Sequence, residues 1–165
     1  MQLMNQVILL TGGNLGNRLS ILQQARKLIE NTVGKMNTIS PLIESEAWGF
    51  ESENAFLNQI LIVDTELSAH QVLIETQKIE IKLGRIRKTE QWISRLIDID
   101  ILFFNNELID SDKLTIPHEH IQNRKFTLFA LNTIIPNYVH PKLKVSISNL
   151  LKDCKDKSKV EVYHA

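Results

Sequence analysis

Two aspartates alternate with isoleucine in the stretch LIDIDILFF, residues 96–104. Because successive side chains of a strand point to opposite faces, Asp98 and Asp100 would share one face, about 7 Å apart. Such a pair can bind one cation or two neighbouring ones, and oxygen ligands without a nearby cysteine favour Mg2+ over Zn2+. The same alternation is typical of a solvated outer face. The flanking apolar residues indicate burial, where unpaired carboxylates are costly, and this favours a metal site.

A basic loop directly precedes the acidic strand and begins at Gly84. A guanidinium group presents a planar fork that binds phosphate oxygens in two places. A glycine-led loop of this composition could be a solvated charged turn, but beside the acidic strand it favours a site for a triphosphate. The residues concerned are Arg85, Arg87, Lys88, Trp92 and Arg95.

Two further pairs of polar residues lie near this region. Gln77 and Glu80 are three residues apart on a predicted helix, so they share a face near the start of the basic loop. By themselves they are typical of an ordinary polar helix face. His118 and His120 form an H-x-H pair that could bind a transition metal, but no third ligand is apparent and a zinc site is not favoured.

The elements that must position these residues follow from hydrophobic periodicity and from capping and turn residues. We expect strands at 7–11, 55–67, 96–104 and 159–163, and helices at 17–33, 68–83, 127–135 and 145–151. Residues 37–48 are expected to be extended and irregular. The order is β-α-β-β-α-β with additions. It predicts an α+β fold, a ferredoxin-like sandwich with helices packed on one face of a mainly antiparallel sheet.

Composition limits the classes of protein to consider. The chain has 165 residues, of which 43% are hydrophobic, and its nineteen basic and nineteen acidic residues cancel. We therefore expect a single domain over residues 1–165, with no bulk charge to favour a nucleic-acid or membrane partner. The single cysteine, Cys154, cannot form an internal disulfide, and the N-terminus lacks the basic region of a signal peptide. These features predict a soluble cytoplasmic protein, with a monomer as the default state.

The glycines of VILLTGGNLGNR, residues 7–18, raise the possibility of a dinucleotide site. Gly12, Gly13 and Gly16 do not have the G-x-G-x-x-G spacing, and the chain contains no G-x-x-x-x-G-K-[ST] motif. We expect at least two of these glycines to form a structural turn. If a nucleotide binds, it uses neither of these two common phosphate loops.

Several motifs resemble, in the same order along nearly the whole chain, those of the 6-hydroxymethyl-7,8-dihydropterin pyrophosphokinases. They are GGN at 12–14, WG at 48–49, FLN at 56–58, QKIEIKLGRIRK at 77–88, Trp92, RLIDIDILFF at 95–104 and LTIPHEHIQNRKF at 114–126. The resemblance implies a ferredoxin-like fold. It also implies transfer of the β,γ-diphosphate of ATP to the hydroxymethyl oxygen of the pterin, with release of AMP, in folate synthesis.

The resemblance also implies roles for individual residues. Asp98 and Asp100 would bind two Mg2+ ions that bridge the triphosphate. Residues expected to contact phosphates are Arg85, Arg87, Lys88, Arg95, His118 and Arg124, with Arg85 and Arg95 acting late, as the loop closes. Residues expected around the nucleoside are Gln77, Glu80, Ile101, Lys113 and Thr115, and Trp92 would lie on the mobile loop. For the pterin, Phe56 and Phe126 would stack on the ring and Asn58 would bind its edge, with Ser45 and Trp48 nearby.

Alternatives remain at this point. Both phenylalanines could be ordinary core residues. The chain also departs from the family pattern at Gly13, where serine is common, and at Ala47 and Ser94, where proline is common. A different class of function, a non-catalytic ferredoxin-like module that binds RNA or a regulatory ligand, fits the fold and the basic loop. Neutral net charge and the lack of an aromatic pair on adjacent strands argue against it.

Overall fold

A computed structural model describes residues 3–49, 54–84 and 96–164 of the chain. Five of the predicted nucleotide-site residues lie outside the described residues: Arg85, Arg87, Lys88, Trp92 and Arg95. The strands are β1 (Asn5–Gly13), β2 (Gly34–Ile39), β3 (Ile43–Ser45), β4 (Phe56–Thr65), β5 (Asp98–Phe104), β6 (Ile109–Asp110), β7 (Thr115–Ile116) and β8 (Val160–Val162). The helices are α1 (Arg18–Thr32), α2 (Ala69–Lys82), α3 (Lys125–Ile134) and α4 (Ile147–Asp153), with a 3-10 turn at Ile121–Asn123.

The main sheet has the order β5-β1-β4, with β2 and β3 one after the other on the far edge of β4, and β8 beyond β3. All pairings among the described strands of this sheet are antiparallel. This order confirms the predicted ferredoxin-like α+β fold, with β1 in the middle of the β-α-β-β-α-β unit. Strands β6 and β7 form a separate small hairpin.

Side chains that cap the first two helices fix where these helices begin. The Asn17 side chain accepts a hydrogen bond from the backbone N–H of Ser20, and Ser68 and Gln71 form a reciprocal capping box at α2. Both caps satisfy backbone donors that a helix leaves free in its first turn. Gly84 follows α2 with φ of 100°, a conformation that favours glycine at the end of a helix.

Helices cover both faces of the sheet. One hydrophobic cluster joins Val7, Leu9 and Leu61 to α1 and α2, and a second joins Ile8, Leu10 and other residues to α3 and α4. The prediction of helices on one face is therefore wrong for α3 and α4. The reason is visible in the sequence of β1: consecutive apolar residues from Val7 to Leu10 are buried, and a strand that is apolar on both faces needs cover on both.

Segment 37–48, predicted to be extended and irregular, is extended but contains residues of two paired strands. Strand β2 pairs with Leu61–Thr65 of β4, and β3 pairs with Phe56–Asn58. Burial alternates along β2, but its residues include Lys35, Asn37 and Thr38, so hydrophobic alternation is weak in the sequence. Among the described residues, no helix is both long and apolar enough to cross a membrane.

Candidate active site

One transverse row of the sheet brings the central site residues together. Asp98 of β5 pairs with Gly12 of β1, Gly12 pairs with Asn58 of β4, and Asn58 pairs with Ile43 of β3. Ile99 and Ile101 pack into the α1/α2 core, so Asp98 and Asp100 face the α3/α4 side. This confirms that the two aspartates share a face. Both are partly buried.

Gly12 makes room for the side chain of its neighbour. A Cβ atom at Gly12 would meet Asn58 Oδ1 at 2.7 Å, so any side chain there would displace the amide. Gly12 and Gly13 lie within β1, and Gly16, with φ of 66°, lies in the connection to α1. The expectation that at least two of these three glycines form a turn is therefore wrong. The backbone must come close to Asn58, and only glycine allows this.

The Asn58 amide is held in one orientation. Asn58 is 3% exposed, and its Nδ2 donates to the carbonyl oxygen of Ile43 at 3.2 Å and to Ser45 Oγ at 2.9 Å. These bonds leave Oδ1 above Gly12. Ser45 and Asn58, two residues predicted for the site, are therefore in direct contact. Phe56 lies two residues before Asn58 on β4, and hence on the same face.

Arg124 connects the acidic and aromatic sides of the site. Its guanidinium carbon lies 4.6 Å from the centre of the Trp48 ring and 6.0 Å from that of Phe126. Its Nη1 is 3.9 Å from Asp100 Oδ2. Arg124 is 8% exposed, so these contacts act with little solvent screening. The Trp48 Nε1–H donates to the Asn123 carbonyl at 3.2 Å, which fixes the indole beside the guanidinium.

His118 enters the site as a neutral ring. Burial lowers its pKa, the nearby Arg124 and His120 lower it further, and Asp98 acts in the opposite direction; the result is a pKa of about 4. The backbone N–H of His120 donates to His118 Nδ1 at 3.2 Å, so the ring proton is on Nε2. The backbone N–H of His118 donates to the Leu102 carbonyl, which fixes His118 beside β5.

The H-x-H pair does not form a zinc site among the described residues. His118 Nδ1 accepts the backbone hydrogen bond, and the His120 ring lies 5.3 Å from the Trp48 ring. Burial and then Arg124 lower the pKa of His120. Within residues 3–49, 54–84 and 96–164, no group of three His, Cys, Asp or Glu residues is arranged to hold a metal.

Glu80 supports the acidic strand from the opposite face. It lies on α2, is 1% exposed, and its Oε2 accepts a hydrogen bond from the Ile99 N–H at 2.9 Å. This amide lies between the two aspartates on β5. The carboxylate therefore satisfies a backbone donor on the outer edge of that strand, where no neighbouring strand pairs with it among the described residues.

The other predicted nucleoside residues lie on β5 or on elements near it. The Ile101 side chain is buried in the α1/α2 core, and Gln77 is partly buried one turn before Glu80. Lys113 and Thr115 are exposed, and β7, which carries Thr115, contacts β5. Helix α2, which carries Gln77, also contacts β5.

The two aspartates fit the expected magnesium site by their chemistry. They offer hard oxygen ligands on one partly exposed face, and the Asp100 side chain retains 25% of its accessible surface. Mg2+ is usually bound through one or two carboxylates, with the remaining ligands from substrate phosphates and water. A pair of aspartates that opens to solvent meets this requirement without a third protein ligand.

Comparison with known proteins gives a consistent result. Residues 8–136 match the family described as 7,8-dihydro-6-hydroxymethylpterin-pyrophosphokinase (HPPK). The chain is 37% identical to the 2-amino-4-hydroxy-6-hydroxymethyldihydropteridine pyrophosphokinase of Aquifex aeolicus, over 84% of this chain and 85% of that protein. It is 38% identical to the enzyme of the same name from Porphyromonas gingivalis, over 82% of this chain and 93% of the relative.

Solved structures share the fold. A crystal structure of Plasmodium falciparum HPPK-DHPS with pterin and p-hydroxybenzoate superposes with a TM-score of 0.75 at 21% identity. The alignment covers 92% of this chain and 43% of the Plasmodium chain, so this chain spans less than half of that protein. The wild-type structure of the same Plasmodium protein gives a TM-score of 0.74 at 20% identity.

Proposed function

Because this chain belongs to the 7,8-dihydro-6-hydroxymethylpterin-pyrophosphokinase family, we propose that it transfers a diphosphate from ATP to 6-hydroxymethyl-7,8-dihydropterin. The products are the pterin diphosphate and AMP, in the biosynthesis of tetrahydrofolate. The single observation that supports this best is the transverse row that places Asp98, Gly12 and Asn58 side by side. It supports the proposal because the carboxylate proposed to bind the metal and the amide proposed to bind the heterocycle lie on one face of one sheet.

We propose that Asp98 and Asp100 hold two Mg2+ ions together with the triphosphate of ATP. When bound, Mg2+ neutralises the phosphate charge that develops during the transfer and orients the diphosphate. The contribution of the chain is to keep both carboxylates on one face, and Glu80 supports this by binding the intervening amide of Ile99.

The phosphate-binding residues are proposed to be Arg124 and His118, together with Arg85, Arg87, Lys88 and Arg95 on the segment outside the described residues. The Arg124 guanidinium lies 3.9 Å from Asp100 and is stacked on Trp48, so it is already oriented before substrate binds. His118 presents a neutral Nε2–H, which donates a hydrogen bond to phosphate oxygen without a charge of its own. Trp92 is proposed to lie on the loop that covers the nucleotide.

The pterin is proposed to lie between Phe56 and Phe126, with its edge against Asn58. A flat heteroaromatic ring gains from contact with two aromatic faces, and a fixed amide discriminates its donors and acceptors. Both phenylalanines are partly buried, Phe56 on the face of Asn58 and Phe126 in the first turn of α3. Ser45 orients Asn58, and Trp48 orients Arg124.

The nucleoside is proposed to contact Gln77, Glu80, Ile101, Lys113 and Thr115. The side chain of Ile101 points into the core, so its contact would be made by the backbone. The Glu80 carboxylate already binds the Ile99 amide, and its main proposed contribution is therefore the position of β5. Lys113 and Thr115 are exposed and accessible to a ribose or base.

In the proposed reaction, the hydroxymethyl oxygen of the pterin attacks the β-phosphorus of ATP. The bond between that phosphorus and the bridging oxygen of the α-phosphate breaks, AMP leaves with that oxygen, and the hydroxyl proton is released to solvent. Transfer of this kind depends on placement and charge neutralisation more than on a covalent intermediate. We assign no side chain as a general base.

The test is to incubate the protein with ATP, Mg2+ and the reduced pterin alcohol and to separate the nucleotides. We expect AMP in an amount equal to the pterin diphosphate, and none without the pterin. Formation of ADP, or of AMP without the pterin, would contradict the proposal. The alternative of a non-catalytic module is not favoured, since the relatives are named as pyrophosphokinases. Cytoplasmic location, a monomeric state and the absence of nucleic-acid or membrane partners stay predictions.

A further inference from the structure

We propose that Asp156, in the segment that follows α4, is a positioning residue for substrate binding. It holds the first turn of α3, which carries Arg124 and Phe126. This inference rests on the proposed function, because those two residues are assigned there to phosphate and pterin. Asp156 lies beyond residues 8–136, the part of the chain that matches the family.

The Asp156 carboxylate makes three hydrogen bonds. Its Oδ2 accepts from the backbone N–H of Lys125 at 3.0 Å, and its Oδ1 accepts from the backbone N–H and the hydroxyl of Ser158 at 2.9 and 2.6 Å. Burial acts to raise the pKa of Asp156, but the bonds from Ser158 and Lys125 outweigh it and lower the pKa. The carboxylate therefore stays ionised at neutral pH.

Helix α3 has an end that needs such a partner. The residue in its N-cap position, Arg124, makes no side-chain capping bond. The first backbone N–H groups of a helix have no partner within the helix, and this end carries partial positive charge. Asp156 supplies an acceptor and a negative charge from a distant part of the chain. The Lys125 ammonium also donates to the Ser158 carbonyl at 3.3 Å.

The capped amide lies between two proposed substrate-binding residues. Lys125 separates Arg124, whose guanidinium is stacked on Trp48, from Phe126. If the first turn of α3 loosens, the backbone positions from which both side chains extend are no longer fixed. Arg124 would then no longer be held at once beside the Trp48 ring and near Asp100. The cap thus acts on substrate binding through the geometry of these two residues.

The same segment continues to the other side of the site. After Ser158, the Lys159 carbonyl accepts from the Glu46 N–H at 3.3 Å, and β8 pairs with β3 so that Val160 lies opposite Ser45. Residues 156–162 therefore connect the start of α3 to the strand that orients Asn58. A change in this segment alters the distance between the two walls of the proposed pterin site.

The experiment compares Asp156→Ala, Asp156→Asn and a control, Asp153→Asn, at an exposed carboxylate on the end of α4. Binding of the reduced pterin alcohol is measured by calorimetry with Mg2+ and a non-hydrolysable ATP analogue present. We expect Asp156→Ala to raise the Kd for the pterin about fivefold, because pterin binding must then order the first turn of α3 that the cap no longer holds. Asp156→Asn keeps one acceptor oxygen for the Lys125 N–H but turns its Nδ2 toward the Ser158 donors and loses the charge, so its Kd should lie between those of the parent and of Asp156→Ala.

A second control separates positioning from stability. Val72→Ala removes buried side-chain atoms on the opposite face of the sheet and should lower Tm without changing the Kd for the pterin. If Asp156→Ala lowers Tm but binds the pterin as tightly as the parent, the inference is overturned. Should Asp156→Ala fail to fold, Asp156→Asn takes its place, because it loses the negative charge and one of the two accepting oxygens; a Kd equal to that of the parent there overturns the inference equally.

Hydrogen exchange in the ligand-free protein distinguishes this inference from the proposed function. The amides of residues 125–128 should exchange faster in Asp156→Ala than in Asp153→Asn. Unchanged exchange refutes the role of Asp156 whatever the binding data show. If exchange is faster in Asp156→Ala but the parent protein binds no pterin, the proposed function is wrong. Asp156 then caps α3 but has no role in substrate binding.

Discussion

The two faces of the sheet are made by the same strands, and they have different tasks. On the α1/α2 face, Val7, Leu9, Leu61 and Ile99 form a closed apolar cluster. On the α3/α4 face, the apolar cluster reaches Ile43 in the transverse row, and the other members of that row are Asn58, Gly12 and Asp98. The α1/α2 face is apolar along the strands, whereas the α3/α4 face changes along the same strands from buried apolar residues to the polar residues of the site.

The difference shows that the helices packed on a face determine whether its polar groups are accessible to a substrate. Helices α1 and α2 seal their face, so polar groups there serve the backbone, as Glu80 does for Ile99. On the other face, the first turn of α3 brings Arg124 and Phe126 over the polar end and leaves the aspartates partly exposed. We expect changes on the first face to alter stability and changes on the second to alter substrate binding or turnover.

The largest effect is expected at the aspartates. Asp98→Ala or Asp100→Ala should lower the rate of AMP formation more than about 10³-fold, because metal-assisted neutralisation contributes several kcal/mol to the transition state. The protein should remain folded, since each change removes one of two neighbouring like charges. AMP formation and thermal unfolding are measured, with Asp110→Asn, an exposed residue of β6, as the control. Normal turnover in either alanine variant would remove the metal assignment.

Two adjacent residues of β4 test the comparison of the faces directly. Leu61 and Ile60 are both fully buried but belong to different clusters. Leu61→Ala should lower the free energy of unfolding by about 2–5 kcal/mol and leave the KM for the pterin unchanged. Ile60→Ala, beneath α3, should lower stability by a similar amount and also raise this KM. Equal effects of the two changes on KM would show that the faces are not independent.

The lowered pKa of His118 predicts that the stability of the protein depends on pH. Its pKa is about 4 in the folded protein against 6.5 for the free side chain, so the unfolded chain binds more protons between these values. Stability should therefore fall as pH decreases from about 6.5 to about 4, by up to about 3 kcal/mol. Urea unfolding of the metal-free protein at pH 7 and pH 4.5 measures this. In His118→Gln, the difference in the free energy of unfolding between pH 7 and pH 4.5 should be much smaller than in the parent. In His70→Gln, at an exposed position on α2, this difference should be unchanged.

Glu80 is expected to act through β5. Glu80→Ala leaves the Ile99 amide without this acceptor and should cost about 1–3 kcal/mol of stability. Glu80→Gln retains an acceptor oxygen and should cost less. Because Ile99 separates the two aspartates, AMP formation should fall in the alanine variant and recover largely in the glutamine variant. Equal loss of activity in both would point to a direct role of the carboxylate at the nucleotide.

The smallest effect is expected at Gly12. In Gly12→Ala, the new Cβ would lie 2.7 Å from Asn58 Oδ1, so the amide must turn away. The KM for the pterin should rise about tenfold, the equivalent of one or two lost hydrogen bonds, with little change in Tm. Gly34→Ala is the contrast: its Cβ would meet the Asp64 backbone carbonyl, which cannot give way, so Tm should fall without a change in KM. A normal KM in Gly12→Ala would show that the Asn58 amide does not bind the pterin.

Local signals accounted for much of the fold. The caps at Asn17 and Ser68, the apolar segments of β1, β4 and β5 and the alternation around Asp98 each depend on residues a few positions apart. Strand β2 escaped prediction because its weakly apolar residues become a strand only through hydrogen bonds to β4. The second helical layer was missed for a similar reason, because it depends on which face of the sheet α3 and α4 reach.

The sequence by itself determined that two carboxylates share a face, and its motifs indicated the family. The roles assigned to individual site residues, including those on 85–95, stay predictions. Only the tertiary structure decided that Gly12 accommodates the Asn58 amide, that Glu80 binds the Ile99 amide, and that Asp156 caps α3 from 31 residues away. Side-chain direction along a strand is a local property of the backbone, whereas these contacts exist only once distant segments have packed together.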